Sequence, residues 1–327
     1  MRIVVTGSIA TDHLMAFPGR FVESIVPEKL DSISLSFLVD RLDVHRGGVG
    51  ANIAFGLGQL GVTSALVGAV GEDFADYRSW LERHGVDTAS VHVSAEHHTA
   101  RFVCTTDADH NQIATFYAGA MAEARNVELL PAVERLGGVD LVVVGPNDPV
   151  AMVRHTQECR ERGYRFASDP SQQLARMEGD DIRRLIDGAA YLFTNEYEAA
   201  LTEHKTGWSS DDILGRVECR ITTMGSKGAR VERRGEPTVS VLCAPERAKV
   251  DPTGVGDAFR AGFIAGLTWG LSDQLCAEIG SMLATYVIET QGTQEYSFTA
   301  DGFRRRFADA YGEASAAALP AGLRGGS

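Results

Sequence analysis

The sequence predicts an α/β fold, a mostly parallel sheet between two layers of helices, with a small separate β-sheet set beside it. Three observations carry this. Short apolar runs ending in glycine or a polar residue alternate with helical patterns along most of the chain, the rhythm of buried parallel strands joined by helices. Two stretches, 32–39 and 97–117, break that rhythm with the two-residue alternation of half-buried strands. The chain has 327 residues, 44% of them apolar and 23% charged, enough to bury one large core. A single domain over 1–327 is expected, its final residues, 314–327, Ala/Gly-rich and frayed.

Composition narrows the function. A net charge of −13 offers no basic stripe for nucleic acid. The five cysteines are scattered with no CxxC pair, which suggests neither a zinc site nor a disulfide framework and fits a reducing cytoplasm. No apolar run reaches bilayer length and no basic-then-apolar leader opens the chain. A cytoplasmic protein without membrane or nucleic-acid partners is expected.

Taken in order, Ile3-Val4-Val5-Thr6 is a buried strand with a glycine exit before Ser8 and Asp12. Ile33, Leu35, Phe37 and Val39 then alternate with serines, a strand with one polar face that includes Ser36. Gly47-Gly48-Val49-Gly50-Ala51-Asn52 opens a helix rich in small residues; no strand feeds directly into it, so it is not a dinucleotide fingerprint. A second buried strand, 63–71, precedes an amphipathic helix from Asp73 to Gly85. Segments 99–105 and 112–117 flank a polar turn as an antiparallel hairpin. Strands are then expected at 141–145, 165–170, 191–195 and 220–224, with helices between them, an edge hairpin at 231–241, and helices at 257–269 and 273–290.

The stretch Asp251-Pro252-Thr253-Gly254-Val255-Gly256-Asp257 carries the chemistry. Its glycines allow close backbone approach, and the free N–H groups of a helix start bind anions. A carboxylate there, Asp257, is placed to act as base for a hydroxyl that attacks a bound phosphate. The alternative is an ordinary capped helix. What favours phosphate chemistry is convergence: Ser8, Asp169, Asn195, 223–228 and the Asp257 turn all lie at carboxyl ends of strands, where such folds bind ligands.

The order of these motifs resembles, nearly end to end, the ribokinase-like (PfkB) sugar and nucleoside kinases: Gly7-Ser8 with Asp12, the 47–52 glycine turn, 67–73, Asn195-Glu196-Tyr197-Glu198, Thr222 to Gly228, and Asp251 to Asp257. Within that family, 32–39, 99–117 and Asp169 to Arg176 look most like the mycobacterial-type bacterial adenosine kinases. Ala10 stands where many ribokinases carry asparagine.

The resemblance implies a ribokinase-like three-layer α/β/α sandwich whose lid comes from insertions at about 13–46 and 96–118. It implies an ATP-dependent, Mg²⁺-requiring kinase that converts adenosine to AMP in purine salvage. A sugar kinase acting on ribose or fructose is the alternative; a non-catalytic nucleoside sensor is a third, against which the intact Asp257 and Asn195/Glu198 speak. By the same resemblance Asp257 is the base, and backbone N–H groups of Gly254, Val255 and Gly256 form the anion hole. Asp12, Gly48 and Asn52 meet the ribose, Phe102 and Phe116 stack on the purine, and Ser8, Ser36, Gln112, Gln172 and Gln173 lie near it. Arg176 reaches the triphosphate. Asn195, Thr223, Met224, Gly225, Ser226, Lys227 and Gly228 line the ATP site, Glu198 meets Mg²⁺ directly or through water, and Asp251 and Thr253 suit a potassium ion. A homodimer is expected through the lids, with Leu35 and Phe37 near the contact.

Overall fold

A computed structural model of the chain describes residues 1–25, 27–32 and 34–325. It begins with β1 (Ile3–Thr6), β2 (Ala10–Ala16), a one-turn α1 (Phe21–Ser24) and β3 (Arg41–Gly47). Helix α2 (Val49–Gln59), β4 (Ser64–Gly71), α3 (Ala75–Arg83), β5 (Val86–Asp87) and β6 (Val91–Ser94) follow. The hairpin of β7 (Ala100–Thr106) and β8 (Gln112–Tyr117) precedes α4 (Leu130–Arg135), β9 (Leu141–Val144), α5 (Pro149–Arg162) and β10 (Phe166–Ser168). Then come α6 (Gly179–Ile186), β11 (Tyr191–Asn195), α7 (Glu196–Thr206), α8 (Ser210–Leu214), β12 (Cys219–Thr223), β13 (Ala229–Glu232) and β14 (Val239–Val241). Four helices close the chain: α9 (Val255–Thr268), α10 (Asp273–Ile288), α11 (Ala300–Tyr311) and α12 (Glu313–Ala317).

Among the described residues the main sheet has ten strands in the order β14-β13-β12-β11-β10-β9-β1-β4-β5, with β6 also on β4. From β12 to β5 the pairings are parallel; β13 and β14 form the antiparallel edge. Alternate residues of one strand serve opposite cores. Ile3 and Val5 pack with α2, α9 and α10, while Val4 packs with residues of α5 and α6. That division explains why β1, β4 and β9 are continuously apolar rather than alternating. Local chemistry sets the helix bounds: Asp148 accepts from Ala151 N at 3.1 Å and Gly163 takes φ +69° around α5.

The second sheet has the order β3-β2-β7-β8 and stands apart from the main one. Here the sequence reading is corrected. Residues 34–39 form no strand; Phe37 packs against Phe17 and Phe21, each ring centroid 4.9 Å away, and Leu38 is exposed. Ile33 lies outside the described residues. The lid strand is the next segment, β3, in register with β2, so that Asp12 faces His45 and Met15 faces Leu42. The alternating serines marked a connection, because pairing with β2 favours the charged and apolar alternation of Arg41 to Gly47. The chain end also differs from the frayed tail expected: α12 packs on α11, and Leu319 and Leu323 are buried in the core. Among the described residues no helix is long and apolar enough to cross a membrane.

Candidate active site

The start of α9 is built by a left-handed glycine. Gly254 caps the helix at φ +78°, a conformation that a side chain strains, and a Cβ there would strike Thr293 at 2.8 Å. The first intrahelical bond is Ala258 N to Gly254 O, 2.9 Å, which leaves the first-turn N–H groups facing outward. The Val255 N–H turns back toward the Pro252 carbonyl at 3.4 Å, so Gly256 and Asp257 are the better placed donors. Upstream, Asp251 accepts from Thr253 N (2.9 Å) and Gly292 N (3.1 Å), and these bonds hold its carboxyl low against the effect of burial. Those bonds brace the turn. Each carboxylate oxygen of Asp251 retains a further lone pair with which a monovalent cation would be compatible.

Asp257 is held by a network. Its Oδ2 accepts from Asn52 Nδ2 at 2.8 Å; Asn52 Oδ1 in turn accepts from Thr293 Oγ1 and Gln294 Nε2, both at 2.9 Å. Tyr77 donates to Gly47 O at 2.8 Å and meets Gln294 from the other side. The Thr293 hydroxyl is shared with Arg46 O, also at 2.9 Å, but the Gln294 N–H₂ can only donate, so the Asn52 oxygen faces it and the Asn52 N–H₂ is committed to Asp257. Burial pushes the Asp257 carboxyl up to about 6, with Arg260 and the Asn52 bond pulling the other way. Asp12 is likewise raised by burial to about 6, with His45 opposing.

Asp257 and Gly254 line a cavity of about 550 Å³. The lid contributes Asp12 from β2, Phe102 from β7 and Phe116 from β8, the two rings directly opposite one another across the strands. Gly48, at φ +94°, and Asn52 form another wall; Ser8 is there too, its Oγ accepting from Val49 N at 3.0 Å. Gln172, Gln173 and Arg176 come from the turn after β10, where Ser171 holds φ +45°, a strained value for a side chain and a common feature of ligand sites. Gln173 donates to Asn147 O at 2.7 Å, whereas Gln172 and Arg176 are exposed at the rim.

A second cavity, of about 350 Å³, opens on the other side of the same helix start. Thr223, Gly225, Ser226 and Gly228 line it together with Gly256, Val255, Lys249 and Phe259. Behind the two cavities Asn195 and Glu198 form a capping box on α7: Glu198 Oε2 accepts from Asn195 N and Asn195 Oδ1 from Glu198 N, each at 2.8 Å. Glu198 Oε1 makes no hydrogen bond among the described residues, so one oxygen remains for a metal-bound water, the kind of contact Mg²⁺ accepts.

The structure therefore gathers most of the expected residues around one helix start and leaves seven outside both cavities: Asn195 and Glu198 in the capping box, Asp251 in the turn before α9, and Ser36, Gln112, Met224 and Lys227. Ser36 is exposed in the segment that is not a strand. Gln112 shares a face with Phe116 but lies four residues nearer the lid tip, donating to Thr106 Oγ1 at 3.4 Å. Met224 does not line the second cavity, and Lys227 points into solvent beside Glu196 at 3.6 Å; the turn faces the cavity with Thr223, Gly225, Ser226 and Gly228. Missed by sequence reasoning were Thr293 and Gln294, whose only signal was a polar Gly-Thr-Gln run after α10, and Met121, Lys249 and Arg260.

Two cavities that meet at a helix start with free first-turn N–H groups suit phosphoryl transfer, and the fold is ribokinase-like. The chain belongs to the pfkB family of carbohydrate kinases, whose model matches residues 8–300. Kinases of this family use ATP, typically with Mg²⁺. The chain is similar to the nucleoside kinase of Burkholderia thailandensis solved in complex with inosine: 34% identity, TM-score 0.83, over 95% of this chain and 99% of that one. The same kinase in complex with ADP-inosine superposes with TM-score 0.81 at 35% identity, over 99% of this chain and 98% of that one. The nucleoside kinase of Methanocaldococcus jannaschii is 29% identical over 272 residues, 82% of this chain and 87% of that protein.

Proposed function

We propose that this protein is a nucleoside kinase that transfers the γ-phosphate of ATP to the 5′-hydroxyl of a purine nucleoside, with adenosine the substrate and AMP the product. The observation that carries the reading is the meeting of the two cavities at the start of α9, with Asp257 on one side and Gly256 on the other. The first cavity is polar where a ribose would lie, at Asp12 and Asn52, and aromatic at its lid end, at Phe102 and Phe116. A free sugar would leave those rings without a partner. The relative solved with inosine supports a nucleoside in this cavity.

In this reading Asp257 takes the proton of the 5′-hydroxyl, whose oxygen attacks the γ-phosphorus. The bond to the β-phosphate oxygen breaks and ADP leaves. First-turn N–H groups of α9 hold the charge that spreads over the transferring group. Bound Mg²⁺, held through water by Glu198 with Asn195 beside it, would neutralise phosphate charge. A potassium ion beside Asp251 and Thr253 belongs to the same reading and is checked by comparing turnover in potassium and sodium salts. So does a homodimer formed through the lids.

The test is a substrate panel with ATP: adenosine, inosine, ribose and fructose, read by product chromatography. Faster turnover of ribose or fructose than of either nucleoside overturns the nucleoside reading. Inosine outpacing adenosine overturns adenosine alone. ADP formed with none of them would make the chain a binding protein.

A further inference from the structure

Three residues beyond Asp257, Arg260 carries a guanidinium into the interior, its side chain only 7% exposed. A buried charge is costly unless paired. Its partner is Asp169, wholly buried just beyond β10, with Nε 2.6 Å from Oδ2; Glu198 Oε2 stands 3.9 Å from Nη2. The third nitrogen, Nη1, lies against the helix start, so close that a Cβ on Gly256 would come within 2.7 Å of it. The guanidinium thus fills the space where β10 ends and where α7 and α9 begin. It lines neither cavity. Packing alone does not require a charge here, since apolar residues of similar volume replace buried ion pairs at little cost.

We propose that Arg260, anchored by Asp169, is a positioning residue whose cation keeps the Asp257 carboxylate ionised and the Gly254–Asp257 turn in shape to bind an anion. The proposal rests on the reading of Asp257 as the base. The groups around Asp257 can be named from each neighbouring element: Asn52 from α2, Asp12 from β2, Glu198 from α7, Asp169 after β10, Arg176 at the cavity rim and Tyr296 after α10. The carboxylates oppose a charge on Asp257, and the two arginines favour it. Arg176 is exposed, where water and salt screen it. Arg260 is buried, and it is the strongest influence drawing the Asp257 carboxyl down against burial.

The experiment measures kcat and KM against pH for the parent, Arg260→Gln, Arg260→Lys and Asp169→Asn, with ATP and whichever hydroxyl substrate the parent phosphorylates. Arg260→Gln is expected to move the acid limb of kcat upward by about one pH unit or more, the usual effect of a nearby opposite charge. KM for both substrates changes little, and Arg260→Lys returns the limb toward the parent. Asp169→Asn keeps the cation and removes a neighbouring negative charge, so its limb is expected to move down. A mere structural tie between β10 and α9 is broken equally by Arg260→Gln and Asp169→Asn and leaves both pH profiles at the parent's. An unshifted limb in Arg260→Gln, or an equal upward shift in Asp169→Asn, overturns the proposal. Where Arg260→Gln does not fold, Asp169→Asn decides alone: a limb that falls supports the role, and one that holds or rises defeats it. Turnover retained by Asp257→Asn would instead defeat the base assignment, which tells the two failures apart.

Discussion

Asp257 owes its chemistry to its surroundings. An ordinary aspartate is a weak base at neutral pH, but one raised to about 6 accepts a proton more readily and is still ionised at pH 7. Because the ionised form is the active one, turnover is expected to be full above that value and to fall as pH drops through about 6. A rate that stays flat well below it would contradict the assignment. Asp257→Asn is expected to lower kcat by roughly 10²–10⁴-fold, the usual worth of a positioned base, while nucleotide binding followed by calorimetry persists. A variant turning over within about tenfold of the parent lies short of that range and would remove Asp257 from the reaction. The position of Asp257 was legible in the sequence, because a carboxylate three residues beyond a glycine that starts a helix has one place to be. Its partners were not. Thr293 and Gln294 reach Asn52 from 241 and 242 residues away, and only the packing of α2 against α9 brings them there.

The lid shows the same limit at the level of elements. The β7–β8 hairpin was legible because its alternation is local and its turn is polar. No strand forms over 34–39, since alternation alone cannot tell a paired strand from an extended connection. Pairing with β2 chose Arg41–Gly47 instead, and with it fell Ser36 as a site residue. β2 itself, Ala10–Ala16, shows little contrast between its faces, one lying over the cavity and the other partly exposed, which is why no periodicity marked it. What survives is the aromatic pair. Phe116 is 46% exposed and Phe102 only half-buried, so neither is packed away as lid core. Phe102→Ala is therefore expected to raise KM for the nucleoside and leave KM for ATP nearly unchanged. The loss should be about 1–3 kcal/mol, the usual worth of stacking one base. If the two constants rise together, Phe102 supports the lid rather than the base.

At the scale of the whole molecule, the main sheet buries both of its faces beneath helices, whereas the lid sheet covers the cavity with one face and leaves the other to solvent. Strand register makes that outer face continuous. Leu42, Met15, Thr105 and Ile113 form one row across β3, β2, β7 and β8; Val44, His13, Val103 and Thr115 form the next. Leu42, Val44 and Ile113 are 55%, 54% and 45% exposed. An apolar sheet face of this kind marks an interaction site, and two-fold pairing lets one patch cover its own copy. The homodimer expected from the sequence thus gains a different surface. Phe37 is occupied by Phe17 and Phe21, so a lid-to-lid contact is predicted on the rows through Leu42 and Val44 rather than at Leu35 and Phe37. The double variant Leu42→Lys with Ile113→Glu places charge at both ends of one row while leaving Asp12, Phe102 and Phe116 on the opposite face. Light scattering is expected to show a dimer for the parent and a folded monomer for the variant. The monomer should keep its turnover if each cavity is complete within one chain, and lose affinity for the nucleoside if the second lid helps to close it. A parent that is monomeric at micromolar concentration, or a folded variant that stays dimeric, would remove the lid face as the contact.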